Sequence, residues 1–210
     1  MVADTAARAR VEWVEDLIRE RRSIRHFRDT PVAREVVADV LRATLWAPSP
    51  HNSQPWRFTV LFGTEDKRLL AGTMAERLRS ELMADGFDGS AVEKQVTRSY
   101  DRVSSAPVVV LCSLTHDGLV SYPDARRDAL EWQMAIQSIG CALQTLFLLA
   151  WSRGLGTCWM AAPMYCPDVV RDVLHLPDAY HPQALVLMGY EAVPGRVRER
   201  RPFDGVVELR

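Results

Sequence analysis

"IGCALQTLFLLAWSRGLGTCWMAA", residues 139–162, decides the fold. Its first half is apolar apart from Gln144 and Thr145. It is too short to span a bilayer and reads as the buried end of a long helix running from Arg127 to Arg153. A helix that is apolar nearly all round lies at the centre of a protein or between two subunits. Gly154 is the expected C′ residue that stops it, and residues 155–162 follow as an extended strand. Gly154-Leu155-Gly156 is not a dinucleotide loop. That fingerprint needs a strand before it and a helix after it, and Trp159 stands where its third glycine belongs.

Working outward, "PVVVLCSL" (107–114) is a continuous β-branched and aliphatic run, the mark of a strand covered on both faces. "QALVLMGYE" (183–191) is another buried strand, and "WRFTVLF" (56–62) is a third, bounded by Pro55 and Gly63. Helical spacing appears over 11–22, after Thr30 (N-cap) and Pro31 (first position) up to Pro48, over 65–104 in two pieces broken near 85–90, and over 167–176. The 65–104 region is polar and reads as peripheral. Helices and strands mix without βαβ alternation, so the expectation is an α+β layered fold rather than a doubly wound one. No repeat or linker divides the chain, so residues 1–210 are expected to form one domain.

The formal net charge is −1 over 210 residues, which argues against a nucleic-acid footprint. Cys112, Cys141, Cys158 and Cys166 form no C-x-x-C pair and read as reduced thiols, and the N-terminus lacks the apolar core of a signal peptide. A cytoplasmic protein without a membrane partner is expected.

Within this neutral chain, "ERRSIRHF" (20–27) interleaves Arg21, Arg22, Arg25 and His26 with Ser23, Ile24 and Phe27. The tail carries Arg196, Arg198, Arg200 and Arg201. The two clusters are either solvated charge or two halves of a site for a phosphate, which arginine reads with a planar fork of donors. "APSPHNSQPWRF" (47–58) is either an ordinary turn or an irregular loop offering Asn52 and Gln54 amides to a heterocycle. His26, His51, His116, His175 and His181 show no metal-ligand spacing, and His175 and His181 read as surface residues. No nucleophile–base pair is apparent and no catalytic residue is assigned. A cofactor would carry the chemistry of an enzyme built this way.

Together these stretches resemble the FMN-dependent nitroreductase-like oxidoreductases. "RRSIRHF" is similar to the family's R-R-S-[IV]-R-x-F start, and "APSPHNSQPWRF" to its A-P-S-x-x-N-x-Q-P-W-x-F loop. "GLGTCWM" is similar to its strand after the central helix, and "VRERRP" to its basic tail. The resemblance implies a mixed central sheet wrapped by helices and a homodimer with exchanged tails. It implies that Arg21, Arg22, Ser23 and Arg25 hold the FMN phosphate and ribityl chain, joined by Arg198 and Arg200. Ser49, Pro50, Asn52 and Gln54 would lie along the flavin from either subunit, with Trp159, Met160 and Ala161 passing the ring.

Within the family, "APSPHNSQP" and residues 154–190 resemble the nitroreductase-like module of coenzyme F420 (deazaflavin) biosynthesis enzymes. The function implied is hydride transfer from NADH or NADPH through FMN to a small acceptor (nitroaromatic, quinone or enoyl-type) by ping-pong. Reduction of an unsaturated F420 precursor is the alternative. A flavin store or sensor without turnover, or a flavin-destroying enzyme, are the readings outside that class.

Overall fold

A computed structural model describes residues 2–210, the side chains of 2–6 excepted. Its helices are α1 (Val2–Glu20), α2 (Arg34–Thr44), α3 (Thr64–Ala84), α4 (Gly89–Ser104), α5 (Ala125–Trp151) and α6 (Pro167–Leu174). Its strands are β1 (Trp56–Leu61), β2 (Val108–Leu114), β3 (Gly156–Met160) and β4 (His181–Gly189). The strands form one sheet in the order β1-β2-β4-β3, every neighbouring pair antiparallel. The parallel element of the expected mixed sheet is a single bridge between Ser23 and Thr157.

The uninterrupted apolar run of β2 is explained by its two covers. Val108, Val110, Cys112 and Leu114 face a cluster built with α2 and α5, whereas Val109 and Leu111 face a cluster built with α3 and α6. All six are fully buried, and each such aliphatic side chain contributes about 1.5–3 kcal/mol of transfer free energy. The sheet is therefore the middle of three layers. Residues 65–104 are less peripheral than their polarity suggests, because Leu70, Ala71 and Met74 of α3 and Val103 of α4 belong to the second cluster.

α5 is capped by Asp124, whose carboxylate accepts from the Arg127 N–H at 3.0 Å. It is 27 residues long, so the apolar stretch belongs to a helix that has the length and composition to cross a membrane. Its buried residues nevertheless fall on a single stripe, Glu131, Ala135, Ser138, Ile139, Ala142, Leu143, Leu146, Phe147 and Ala150, which is the pattern of a helix packed on a sheet. The helix stops as expected: Gly154 has φ +73°, its N–H donates to the Trp151 carbonyl, and Leu155 N–H reaches back to Ala150, a Schellman closure.

Several boundaries differ from expectation; α1 spans Val2–Glu20 rather than 11–22. Thr30 and Pro31 do not start α2; the chain stays extended through Ala33, which carries buried Val32 into the core, and the helix begins at Arg34. β4 starts two residues early, at His181. Its Pro182 is tolerated because the register shifts opposite Cys112 and Ser113 and leaves Gln183 out of the pairing.

Candidate functional site

The segment 21–28 runs beside β3 and then past the exit of β4. Ile24, fully buried, is its anchor, and Ile24 N–H donates to the Thr157 carbonyl at 2.8 Å. Phe27 bridges Glu191 and packs on the second core cluster. The two apolar residues of "SIRHF" thus fasten the segment while its basic side chains turn outward.

The tail leaves β4 next to this segment. A Cβ at Gly195 would stand 2.3 Å from the Cβ of Arg22, so only a glycine lets the tail cross so close. The crossing brings the two arginine clusters together. A cavity of ≈ 550 Å³ is lined by Arg21, Arg22, Ser23 and Arg25 from one end of the chain and by Arg196, Arg198 and Arg200 from the other. Arg21 and Ser23 also line an adjoining space of ≈ 210 Å³ with Gln144, Phe147, Thr157 and Trp159. The two spaces form one cleft along the β3 edge, basic at one end and aromatic at the other.

The electrostatics of the basic end are uncompensated. Among the described residues, Arg21, Arg22, Arg25, Arg198 and Arg200 pair with no carboxylate. The hydrogen bonds of Arg22, Arg25 and Arg200 go to nearby main-chain carbonyls, including Arg200 to Arg198 O at 2.9 Å. Arg21 lies over the Phe147 ring, 5.8 Å from its centroid. Burial, followed by repulsion from Arg22 and Arg200, pushes its guanidinium below the usual arginine range. Crowded, partly desolvated cations of one sign with no counter-charge need an anion, and arginine forks favour a phosphate.

The other expected site residues divide into two groups. Trp159, about half exposed, faces the cleft and lies 6.1 Å from Phe147, centroid to centroid. Met160 and Ala161, one step along, line a separate cavity of ≈ 670 Å³ between β3 and the α3–α4 hairpin. Ser49, Pro50, Asn52 and Gln54 line neither part of the cleft. Their loop opens into β1, and β1 and β3 are opposite edges of the sheet. The loop is nonetheless sharply shaped: His51, Asn52 and Gln54 all have positive φ (53°, 53° and 47°), and Ser49 Oγ accepts from Gln54 N–H at 3.0 Å. Three non-glycine residues in the left-handed region within four positions is stored strain, a feature that concentrates at ligand sites. Arg57, paired with Asp117 at 2.8 Å, also donates to the Gln54 carbonyl at 3.3 Å and so ties the loop to β1.

Gln144, Phe147 and Thr157 are cleft residues that sequence reasoning does not single out. Gln144 carries a signal in retrospect, as a polar interruption of the apolar run that is exposed on the cleft side of α5. His181 also departs from expectation. It is half-buried and meets His116 and Trp132, whose rings stack at 4.5 Å.

Residues 18–190 match the Nitroreductase family. The chain belongs to that family. It is 32% identical over 198 residues to the nitrobenzene nitroreductase of Ectopseudomonas oleovorans, covering 79% of this chain and 81% of that one. The chloronitrobenzene nitroreductase of Comamonas testosteroni is similar to the same extent, 32% with 79% and 81% covered. Among solved structures, the FMN complex of a Desulfovibrio desulfuricans protein assigned to the nitroreductases superposes with a TM-score of 0.71. It is 26% identical, with 94% of this chain and 96% of that chain covered. The α+β nitroreductase-like fold expected from the sequence is the fold observed.

Proposed function

We propose that this nitroreductase-family protein is an FMN-dependent oxidoreductase. In this reading it takes a hydride from NADH or NADPH and passes it to a small organic acceptor, such as a nitroaromatic or a quinone, in ping-pong fashion. The observation that carries the reading is the convergence of both arginine clusters, paired with no carboxylate among the described residues, at one end of a cleft that continues to Trp159. Two relatives named as nitroreductases and a neighbour with bound FMN point the same way.

Bound FMN supplies the two-electron relay between nicotinamide and acceptor; the protein supplies position and electrostatics. Arg21, Arg22, Ser23 and Arg25, with Arg198 and Arg200, hold the phosphate and the adjoining ribityl hydroxyls. The backbone from Trp159 to Ala161 would run beside the ring, with the side chains of Trp159 and Met160 falling on opposite faces of β3. Ser49, Pro50, Asn52 and Gln54, stranded on the far edge of the sheet, complete the cleft of a second copy.

The same reading makes the protein a homodimer, and what one protomer leaves uncovered supports it. Trp46 is 89% exposed, Val197 76% and Leu209 83%, and Leu130 and Ile136 stand on the outer side of α5. Tails that embrace a partner would cover such residues. The whole chain acts in this reading as one FMN-binding domain of a cytoplasmic enzyme with no nucleic-acid or membrane partner. The narrower likeness to the F420-biosynthesis module rests on residues 47–55 and 154–190 alone.

Purified protein is expected to be yellow, to bleach with NADH or NADPH in the absence of oxygen, and to regain colour on adding nitrobenzene. A yellow protein that does not bleach is a flavin store. A protein that binds no FMN overturns the reading.

A further inference from the structure

The cavity of ≈ 670 Å³ on the far side of β3 has the volume of a small-molecule site, and the residues holding the arginine cleft do not account for it. Its walls differ in chemistry. Gln95, Arg98, Ser99 and Arg102 share one face of α4, at helical spacing, and form a wholly polar wall that is open to solvent at Gln95 and Arg98 and half-buried at Ser99 and Arg102. Met74, Leu78 and Leu82 of α3 oppose it, with half-buried Met160 beside them and exposed Tyr165 at the rim.

The charges are unevenly spent. Arg77 is bound to Asp168 at 2.6 Å and lies 3.7 Å from Glu81, so its charge is matched. Arg98 and Arg102, one helical turn apart, pair with no carboxylate among the described residues. The remaining acid of the lining, Asp85, caps the C-terminal end of α3 and forms no ion pair with either arginine. The cavity therefore has an apolar body, two free guanidinium groups on one wall, and an end on Met160, Ala161 and Ala162.

We propose that this cavity binds a small apolar organic acid, its carboxylate on Arg98 and Arg102 and its aromatic or aliphatic body against Met74, Leu78 and Met160. Polarizable methionines suit an aromatic body, and a fork of donors suits a carboxylate. Because Met160 and Ala161 are the residues placed along the flavin above, the cavity is the pocket that selects anionic acceptors. That second step rests on the proposed function; the binding of the acid does not.

The test is calorimetric titration of the oxidised, FMN-loaded protein, without nicotinamide, with 4-nitrobenzoate and with its neutral methyl ester. The wild type is expected to bind the acid at least tenfold more tightly than the ester, as charge-assisted hydrogen bonds confer. Arg98→Gln and Arg102→Gln are each expected to lose most of that preference while binding the ester within about twofold of wild type. Arg102→Lys, which keeps the charge, is expected to retain part of it. Equal affinity for acid and ester in the wild type, or equal losses for both in the variants, overturns the proposal. Bleaching by NADH and NADPH is followed on the same samples. Failure to bleach with the acid preference intact removes the acceptor role and the proposed function, and leaves the acid site standing.

Discussion

The guanidinium of Arg21 lies 5.8 Å from the centre of the Phe147 ring, and that ring lies 6.1 Å from Trp159. Cation, buried ring and exposed indole thus form a row leading from the basic end of the cleft to its open end. Phe147 is 7% exposed and belongs to the core cluster, so Arg21 is anchored to the core rather than to a mobile surface. Phe147→Ala is expected to cost about 3–5 kcal/mol of stability by chemical denaturation. Phe147→Leu is expected to restore most of that stability while still weakening FMN, because the ring under Arg21 is gone.

Arg25→Ala and Arg200→Ala are each expected to weaken FMN binding ten- to a hundredfold, since a hydrogen bond to a charged group contributes about 1.5–3 kcal/mol. Sharing one phosphate, the two changes are expected not to add in the double variant. Riboflavin, which lacks the phosphate, serves as the control in fluorescence titrations. Equal losses for riboflavin and FMN would show that the clusters do not read a phosphate.

Gly195→Ala would drive a methyl group into Arg22 and push the tail away from the cleft. FMN affinity is expected to fall to the level of an Arg198→Ala/Arg200→Ala variant, while the melting temperature of the FMN-free protein stays put. A drop in both would mean that the crossing serves the fold rather than the cleft.

Light scattering over a dilution series is expected to show a dimer with no stable monomer, because obligate interfaces resemble a core cut in half. A well-folded monomer at micromolar concentration would remove the shared cleft.

Alkaline pH offers a separate check on the second core cluster. Burial pushes the Cys166 thiol up to about 11 from an ordinary value of 9.0. Between those values the unfolded chain gives up this proton and the folded chain keeps it, so stability falls as pH rises from about 9 to 11. Cys166→Ala is expected to lose stability less steeply than wild type over that window in urea titrations.

Most of the layered fold is legible in the sequence because the signals are local. The run 108–114 declares a strand covered twice, and Gly154 declares the end of α5. The order of the strands is not local, so nothing in the sequence says that the 49–54 loop and Trp159 occupy opposite edges. Arg98 and Arg102 are invisible for another reason. Two arginines on a polar helix face look the same in sequence whether or not a space opens beside them, and that space exists here only because α4 lies beside α3 and the end of β3. The arginine clusters become readable as a pair only when Gly195 is seen against Arg22.

The antiparallel order β1-β2-β4-β3 has a genetic corollary. If the cleft is shared as proposed, each chain carries two unlike halves of it on opposite edges of the sheet, and damage to one half is separable from damage to the other. A chain broken at Arg25 and a chain broken at Asn52, each inert as its own dimer, would form a mixed dimer in which the two lesions fall on one cleft and spare the other. Each mixed dimer would regain half of the wild-type activity, and an equal mixture of the two parents about a quarter.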